Sequence, residues 1–298
     1  MRIHIFQHNL TKKKEISMKI TKIMAAAAAL ALGMPLFADE AYDIMKKSTT
    51  LKAPDFTISE MHLDSIEKNG SVDHQIMQQY GNRTNGLINT VFDFKVSSTN
   101  KGTRVLQMEK TNKDDDRWIY LPSLKTTRRI PTSDRYKSFV GCEFTYNDMS
   151  IRNVDLDTHV LLSENESVTI DGNQFGGKWG KTTYSCWKID STPATPQAKK
   201  TVEYSHRISY IDKNTYLPVR TEFYDKKDKT KLIKTQLIEK IEIVKGVTGI
   251  EYPLRRSAIM INELTGRSAR VYVGDFTWDK PLSDGYFTQN WLMTGKAK

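Results

Sequence analysis

Only two of the 298 residues are cysteine and six are histidine, and that scarcity removes several function classes at once. The sequence contains no C-x-x-C, no H-E-x-x-H and no G-x-S-x-G, so thiol redox proteins, zincins and nucleophile-elbow hydrolases lack their signatures. His62, His74, His159 and His206 stand far apart and read as surface or strand histidines rather than as a metal site. Gly180-Lys181-Thr182 resembles the end of a phosphate-binding loop, but Phe175 occupies the place of the required first glycine. Asp114-Asp115-Asp116 reads as a charged hairpin turn before it reads as a calcium site. An acid pair for glycoside hydrolysis stays open, because such pairs meet only in space. No cofactor is expected.

Long apolar runs are missing too, except one. Residues 23–38 are apolar, follow a basic stretch and give way to Asp39-Glu40, the layout of a signal peptide cleaved after Ala38. Sixteen residues that include Gly33 and Pro35 fall short of the roughly 20 a spanning helix needs. Met18 opens a compact signal of its own, so the start could lie at Met1 or Met18. The expectation is an exported, periplasmic protein with residues 1–38 as signal and 39–298 as one domain. In that oxidising setting Cys142 and Cys186 either bridge or remain two buried thiols. A bridge closing that separation would be worth at most about 4 kcal/mol.

Excess charge of one sign is small. Of the formal +10, six basic residues against one acid fall within residues 1–38; the remainder holds 39 basic and 34 acidic side chains, a net +5. Spread so thinly, this argues against nucleic acid and suits transient contact with an anionic membrane surface.

What is present is alternation. Residues 41–51 carry apolar side chains at helical spacing before Pro54, and from Phe56 the period becomes two. Runs at 57–67, 72–80, 87–96, 103–109 and 117–121 are separated by Asn69-Gly70, a polar 81–86 segment and Asn100-Lys101-Gly102, all hairpin signals. Further strands are expected at 205–211, 219–224, 232–244, 258–262 and 269–276, with helix at 146–154 and 288–293. Gly-rich residues 171–181 read as an extended loop or mobile flap, and residues 191–200 as a Pro-rich connection. About ten antiparallel strands with one apolar face need a cover. The expected fold is mainly β: a curved antiparallel sheet or incomplete barrel with a few short helices as lid.

The densest stretch runs from Trp118 to Asp148. Trp118, Tyr120, Phe139, Phe144 and Tyr146 concentrate there, with Arg128-Arg129 between them on a strand that would point one arginine outward and one inward. An inward arginine needs a carboxylate, carbonyls or an anionic headgroup, because a buried unpaired charge is costly.

The motifs Tyr120-Leu121-Pro122, Arg128-Arg129-Ile130 and Ser138-Phe139-Val140-Gly141, followed by Phe144-Thr145-Tyr146 and Asp148, resemble the hallmark of the outer-membrane lipoprotein-sorting proteins related to LolA and LolB. Pro218, Glu222-Phe223-Tyr224-Asp225 and Lys234-Thr235 resemble the family's later block, while Cys142-Glu143 stand where the family shows Ser-Asp. The resemblance covers residues from about 50 to 290. It implies a non-enzymatic periplasmic carrier that encloses the acyl chains of lipids or lipoproteins for transfer toward the outer membrane, with an RND-type exporter as partner. Phe92, Phe94, Trp118, Tyr120, Phe139, Phe144 and Phe223 are the candidate cavity residues, and Arg128 and Arg129 the candidate headgroup contacts. A structural adaptor of an envelope transporter that carries no cargo is the alternative reading, with a lipid-acting hydrolase third.

Overall fold

The computed structural model describes residues 39–110 and 114–297. The expected signal segment, residues 1–38, lies outside them. Two meanders build one sheet. In the first, β1 (Phe56–Ile66), β2 (Val72–Thr84), β3 (Leu87–Val96), β4 (Arg104–Met108), β5 (Asp116–Leu121) and β6 (Thr126–Arg129) step outward in one direction. Residues 130–156 then cross over to the opposite edge. From there β7 (Asp157–Asp171), β8 (Lys181–Pro193), β9 (Tyr204–Asp212), β10 (Pro218–Asp225), β11 (Leu232–Lys245), β12 (Glu251–Asn262) and β13 (Ser268–Trp278) step back until β13 pairs with β1. All thirteen strands are antiparallel to their neighbours, and the curved sheet stays open: β6 and β7 are its edges.

Local chemistry explains the turns. Asn85 and Gly86 both have positive φ (52° and 79°), the combination of the tight hairpin turn whose twist matches that of the strands. The polar residues 81–84, which sequence assigns to a separator, are therefore strand: all four pair with β3, and Gly81 and Asn82 also pair with β1. Gly81 allows that close pairing, since a Cβ there would meet Thr57 Oγ1 at 2.4 Å.

Alternation sorts the side chains onto two faces. The inner face carries the main core: Leu63, Met77, Phe92, Phe94, Val105, Phe223 and Met260, packed against Phe139, Cys142 and Phe144 of the crossover. α1 (residues 39–49) covers the inner face farther along, placing Ala41, Ile44 and Met45 on Ile189 and Ile211. The outer face is covered at the β2–β5 end by α3 (Gln289–Thr294), whose Trp291 and Leu292 sit on Val91 and Leu106. Thr288 caps α3 by accepting the Trp291 amide, and Gly295 ends it with φ 68°. α2 (Pro196–Lys200) is a single turn capped by Thr195.

Several expectations change. Among the described residues the sheet has thirteen strands rather than about ten; the whole of β7 and β8 and the first half of β12 are additional to those expected. β7 is an edge strand whose middle, Leu162 to Ser167, is polar and largely exposed, which is how edges avoid further pairing. Residues 146–154 form turns rather than a helix. The 171–181 loop is held down: Arg270 donates to the carbonyls of Gln174 (2.9 Å) and Phe175 (3.2 Å). No disulfide forms. Cys142 and Cys186 are free buried thiols in two separate clusters, and burial pushes both up to about 12. Among the described residues no helix is long and apolar enough to cross a membrane.

Candidate functional site

The crossover makes the site. Phe139 to Cys142 form a tight turn in which Val140 and Gly141 have positive φ (45° and 92°), and the Phe139 amide donates to the Phe144 carbonyl at 2.7 Å. Thr145 and Asp148 close the next turn: the Asp148 carboxylate accepts the Thr145 amide at 2.7 Å and its hydroxyl at 2.8 Å. Asn147 donates to the Thr201 carbonyl, and Asn262 donates to Glu143, tying the crossover to the far meander. The segment that links the two edges thus lies across the inner face instead of skirting the sheet.

Between crossover and sheet two adjoining chambers remain. The smaller, about 280 Å³, has apolar walls from Met61, Phe92, Phe144, Met149, Val271 and Val273. The larger, about 1010 Å³, is ringed by Arg83, Arg117, Arg135, Arg152, Arg207 and Arg255, with Glu109, Asp114, Asp115, Asp148 and Glu203 among them. Ile88, Asp148, Gln236 and Arg255 line both.

So many enclosed charges demand partners. Arg152 grips Asp157 in two hydrogen bonds, 2.9 and 2.6 Å, and Arg207 adds a third to the same carboxylate at 3.1 Å. Arg117 donates to the Tyr146 carbonyl and to Ser150 Oγ (2.8 Å) and lies 3.4 Å from Asp115. Burial, then the nearby Arg135, pull its pKa down to about 10. Burial raises the Asp148 and Glu203 carboxyls above the usual carboxylate range, against the pull of Lys234. Burial likewise raises Glu109, although its carboxylate accepts the Ile88 amide at 2.8 Å.

Five of the expected cavity residues come together: Phe92, Phe94, Phe139, Phe144 and Phe223 share the inner core. Phe92 and Phe144 line the smaller chamber and Phe223 the larger, while Phe94 and Phe139 are packed behind the walls. Trp118 and Tyr120 do not join them. Both lie on the outer face, in the cluster under α3, because Trp118 is paired with Leu106 and the inward positions of β5 are Arg117 and Ile119. Arg128 and Arg129 point to opposite sides as alternation requires, but β6 is an edge, so both are exposed. Arg129 pairs with Asp116 at 2.8 Å. The inward arginines are others; Arg117 stands one residue before Trp118, and strand alternation gives it the parity opposite to that aromatic. Among the described residues no three metal-ligating side chains gather.

Residues 87–294 match the model of a family whose description reads "uncharacterized protein". The chain belongs to that family. No curated protein sequence matches it. Solved structures share the family's LolA-like architecture over most of their length. A DUF1329 family protein from Desulfovibrio piger superposes with a TM-score of 0.72 at 23% identity, covering 86% of this chain and 99% of the other. A candidate outer membrane lipoprotein-sorting protein domain from Vibrio parahaemolyticus gives 0.71 at 21% identity, with the same coverage. A LolA superfamily protein from Nitrosomonas europaea gives 0.56 at 18% identity, covering 84% and 98%. At these identities the likeness establishes the fold: an open, curved LolA-like sheet around an interior space.

Proposed function

We propose that this family member is a periplasmic carrier that takes the acyl chain of a lipid or lipoprotein into its interior. The smaller chamber carries the reading: apolar walls from Met61, Phe92, Phe144, Val271 and Val273, enclosed on the inner face and continuous in lining with a larger charged space. Transfer of an acyl chain from water to such walls is favourable by about 0.8 kcal/mol per methylene, so affinity needs no reactive group. The relatives named for lipoprotein sorting and for the LolA superfamily support the same reading. In this reading the protein is not an enzyme, touches membrane surfaces transiently, and hands its cargo toward the outer membrane in partnership with an RND-type exporter.

Lipid extraction and mass spectrometry of the purified protein test it. Bound acyl lipid at near-stoichiometric amounts is the expected result. Reproducible absence of lipid, together with no uptake of a fluorescent fatty acid, would sink the carrier reading and leave the structural adaptor. The exporter partnership is checked separately, by co-purification with an RND-type pump from membranes of the source cell.

A further inference from the structure

Two arginines of the interior, Arg83 and Arg255, are unlike the others. Arg117, Arg135, Arg152 and Arg207 all reach carbonyls or carboxylates. Among the described residues neither the Arg83 nor the Arg255 side chain makes a hydrogen bond or ion pair, and of the two only Arg255 lines both chambers. Arg255 is exposed, part of that exposure being to the chambers it lines, and desolvation by the surrounding protein pulls its pKa below the usual arginine value. A strand irregularity accompanies this: Ser257 and Arg255 take consecutive partners on β11, Lys240 and Ile241, so the alternation of β12 breaks at Arg256. Arg256 turns to the Gly274 carbonyl at 2.9 Å, and Arg255 is left facing the space.

The acids that share the smaller chamber with Arg255 are already engaged. Glu109 accepts the Ile88 amide, Asp148 closes its turn with Thr145, and Asp115 lies against Arg117 and Arg135. A guanidinium that lines both chambers without a side-chain partner among the described residues keeps its donors for an anion brought from outside. A second side chain points the same way independently. Gln107, 6% exposed, lines the smaller chamber with both its amide nitrogen and its amide oxygen unpartnered. Buried amides are ordinarily satisfied. Its NH₂ group supplies two donors to the space that Arg255 lines.

We propose that Arg255, assisted by Gln107, is the headgroup site for a single acidic lipid, a carboxylate or a phosphate, whose tail lies against Met61, Phe92, Phe144 and Val271. This rests on the carrier reading and narrows it. The acylated glyceryl group of a lipoprotein carries no anion, so the site selects a free acidic amphiphile over a lipoprotein anchor.

The test compares four ligands on the full chain by displacement of a fluorescent acyl probe: palmitic acid, hexadecyl phosphate, methyl palmitate and inorganic phosphate. The wild type is expected to bind the acid or the alkyl phosphate at least about tenfold tighter than the ester, the scale of one charged hydrogen bond. Whichever anion binds tighter identifies the headgroup. In Arg255→Met that preference collapses to the ester's affinity while ester binding is unchanged; Arg255→Lys recovers part of it, and Gln107→Leu loses a smaller share. Removing a charge that has no side-chain partner leaves the protein folded, with a melting temperature equal to or above that of the wild type. Retention of the anion preference in Arg255→Met overturns the proposal. So does equal binding of acid and ester by the wild type, or competition by inorganic phosphate as strong as that of hexadecyl phosphate. If none of the three lipids binds, the carrier reading itself falls; if all three bind alike, only the headgroup site does.

Discussion

Phe139 and Phe144 are joined backbone to backbone, amide to carbonyl at 2.7 Å, across a turn that buries both rings in the wall between the two meanders. The turn depends on Gly141, whose φ of 92° is in the region that side chains disfavour. A Cβ at Gly141 would meet nothing within 4 Å, so the cost of adding one is conformational alone. Gly141→Ala is expected to lower stability by about 1–2 kcal/mol in urea unfolding without change of fold. A loss below about 0.3 kcal/mol would mean that the turn relaxes to another type at little cost.

Asp157 is the keystone of the charged chamber. Its side chain is fully buried and receives Arg152 in two bonds and Arg207 in one. Asp157→Asn strands two enclosed guanidinium groups, and by the measure of other broken buried pairs it should cost about 3–5 kcal/mol. Chemical denaturation reads this directly. An unchanged midpoint would show that chamber water solvates both arginines.

The Glu239–Arg270 pair is 1% and 4% exposed and ties the β7–β8 loop to the sheet through the carbonyls of Gln174 and Phe175. Arg270→Met is expected to destabilise the whole domain and expose residues 172–180 to protease. Adding Glu239→Leu removes the stranded carboxylate, so the double variant should regain much of the global stability while the loop stays cleavable. Protection of the loop in the double variant would show that something other than Arg270 holds it.

His159 sets a pH dependence. Its Nε2 faces the Val154 carbonyl at 3.1 Å, an acceptor, so that nitrogen carries the proton; Nδ1 then accepts from Ser191 Oγ at 2.8 Å, and the ring is neutral. Burial lowers its pKa from 6.5. Below pH about 6.5 the unfolded chain gains a proton that the folded chain refuses, so this contribution is full above that pH and is lost as pH falls toward the lowered folded value. The enclosed carboxyls Asp148, Glu203 and Glu109, raised in the folded state, act in the opposite sense. The difference between wild type and His159→Gln in unfolding free energy from pH 7.5 to 5 isolates the histidine: the wild type should lose more. Parallel curves would remove it from the balance.

Much of this was legible in the residues. Alternating Phe92 and Phe94 announced an inner face, Asn-Gly pairs announced hairpins, and the Ser138 to Asp148 motif announced the fold that the structure has. What stayed hidden had physical reasons. β7 escaped because an edge strand is allowed to be polar, and β8 beside it begins with the polar, partly exposed run Lys181 to Ser185; polarity is what sequence reads as loop. Trp118 and Tyr120 alternate as strictly as Phe92 and Phe94, but alternation fixes parity and not which parity faces inward; only the register of β4 with β5 decides that. The choice between a bridge and two free thiols at Cys142 and Cys186 was not legible, because spacing in sequence carries no distance in the fold. Arg255 was hidden because its orientation comes from a break in strand register, a feature set by the pairing with β11.

The seam between β1 and β13 has a consequence for how the molecule assembles. Every other strand pairing in the sheet joins neighbours in sequence, whereas this one brings Thr57 beside Trp278 and holds the two meanders together. Its loop-closure entropy is the largest in the sheet, so it forms after the local hairpins that flank it. Pulse-labelling hydrogen exchange should find the β1 and β13 amides protected last; early protection there would refute the order. The interior is therefore walled only when two separately formed ribbons zip along a single line, and until then the apolar strips of the inner face lie open to water.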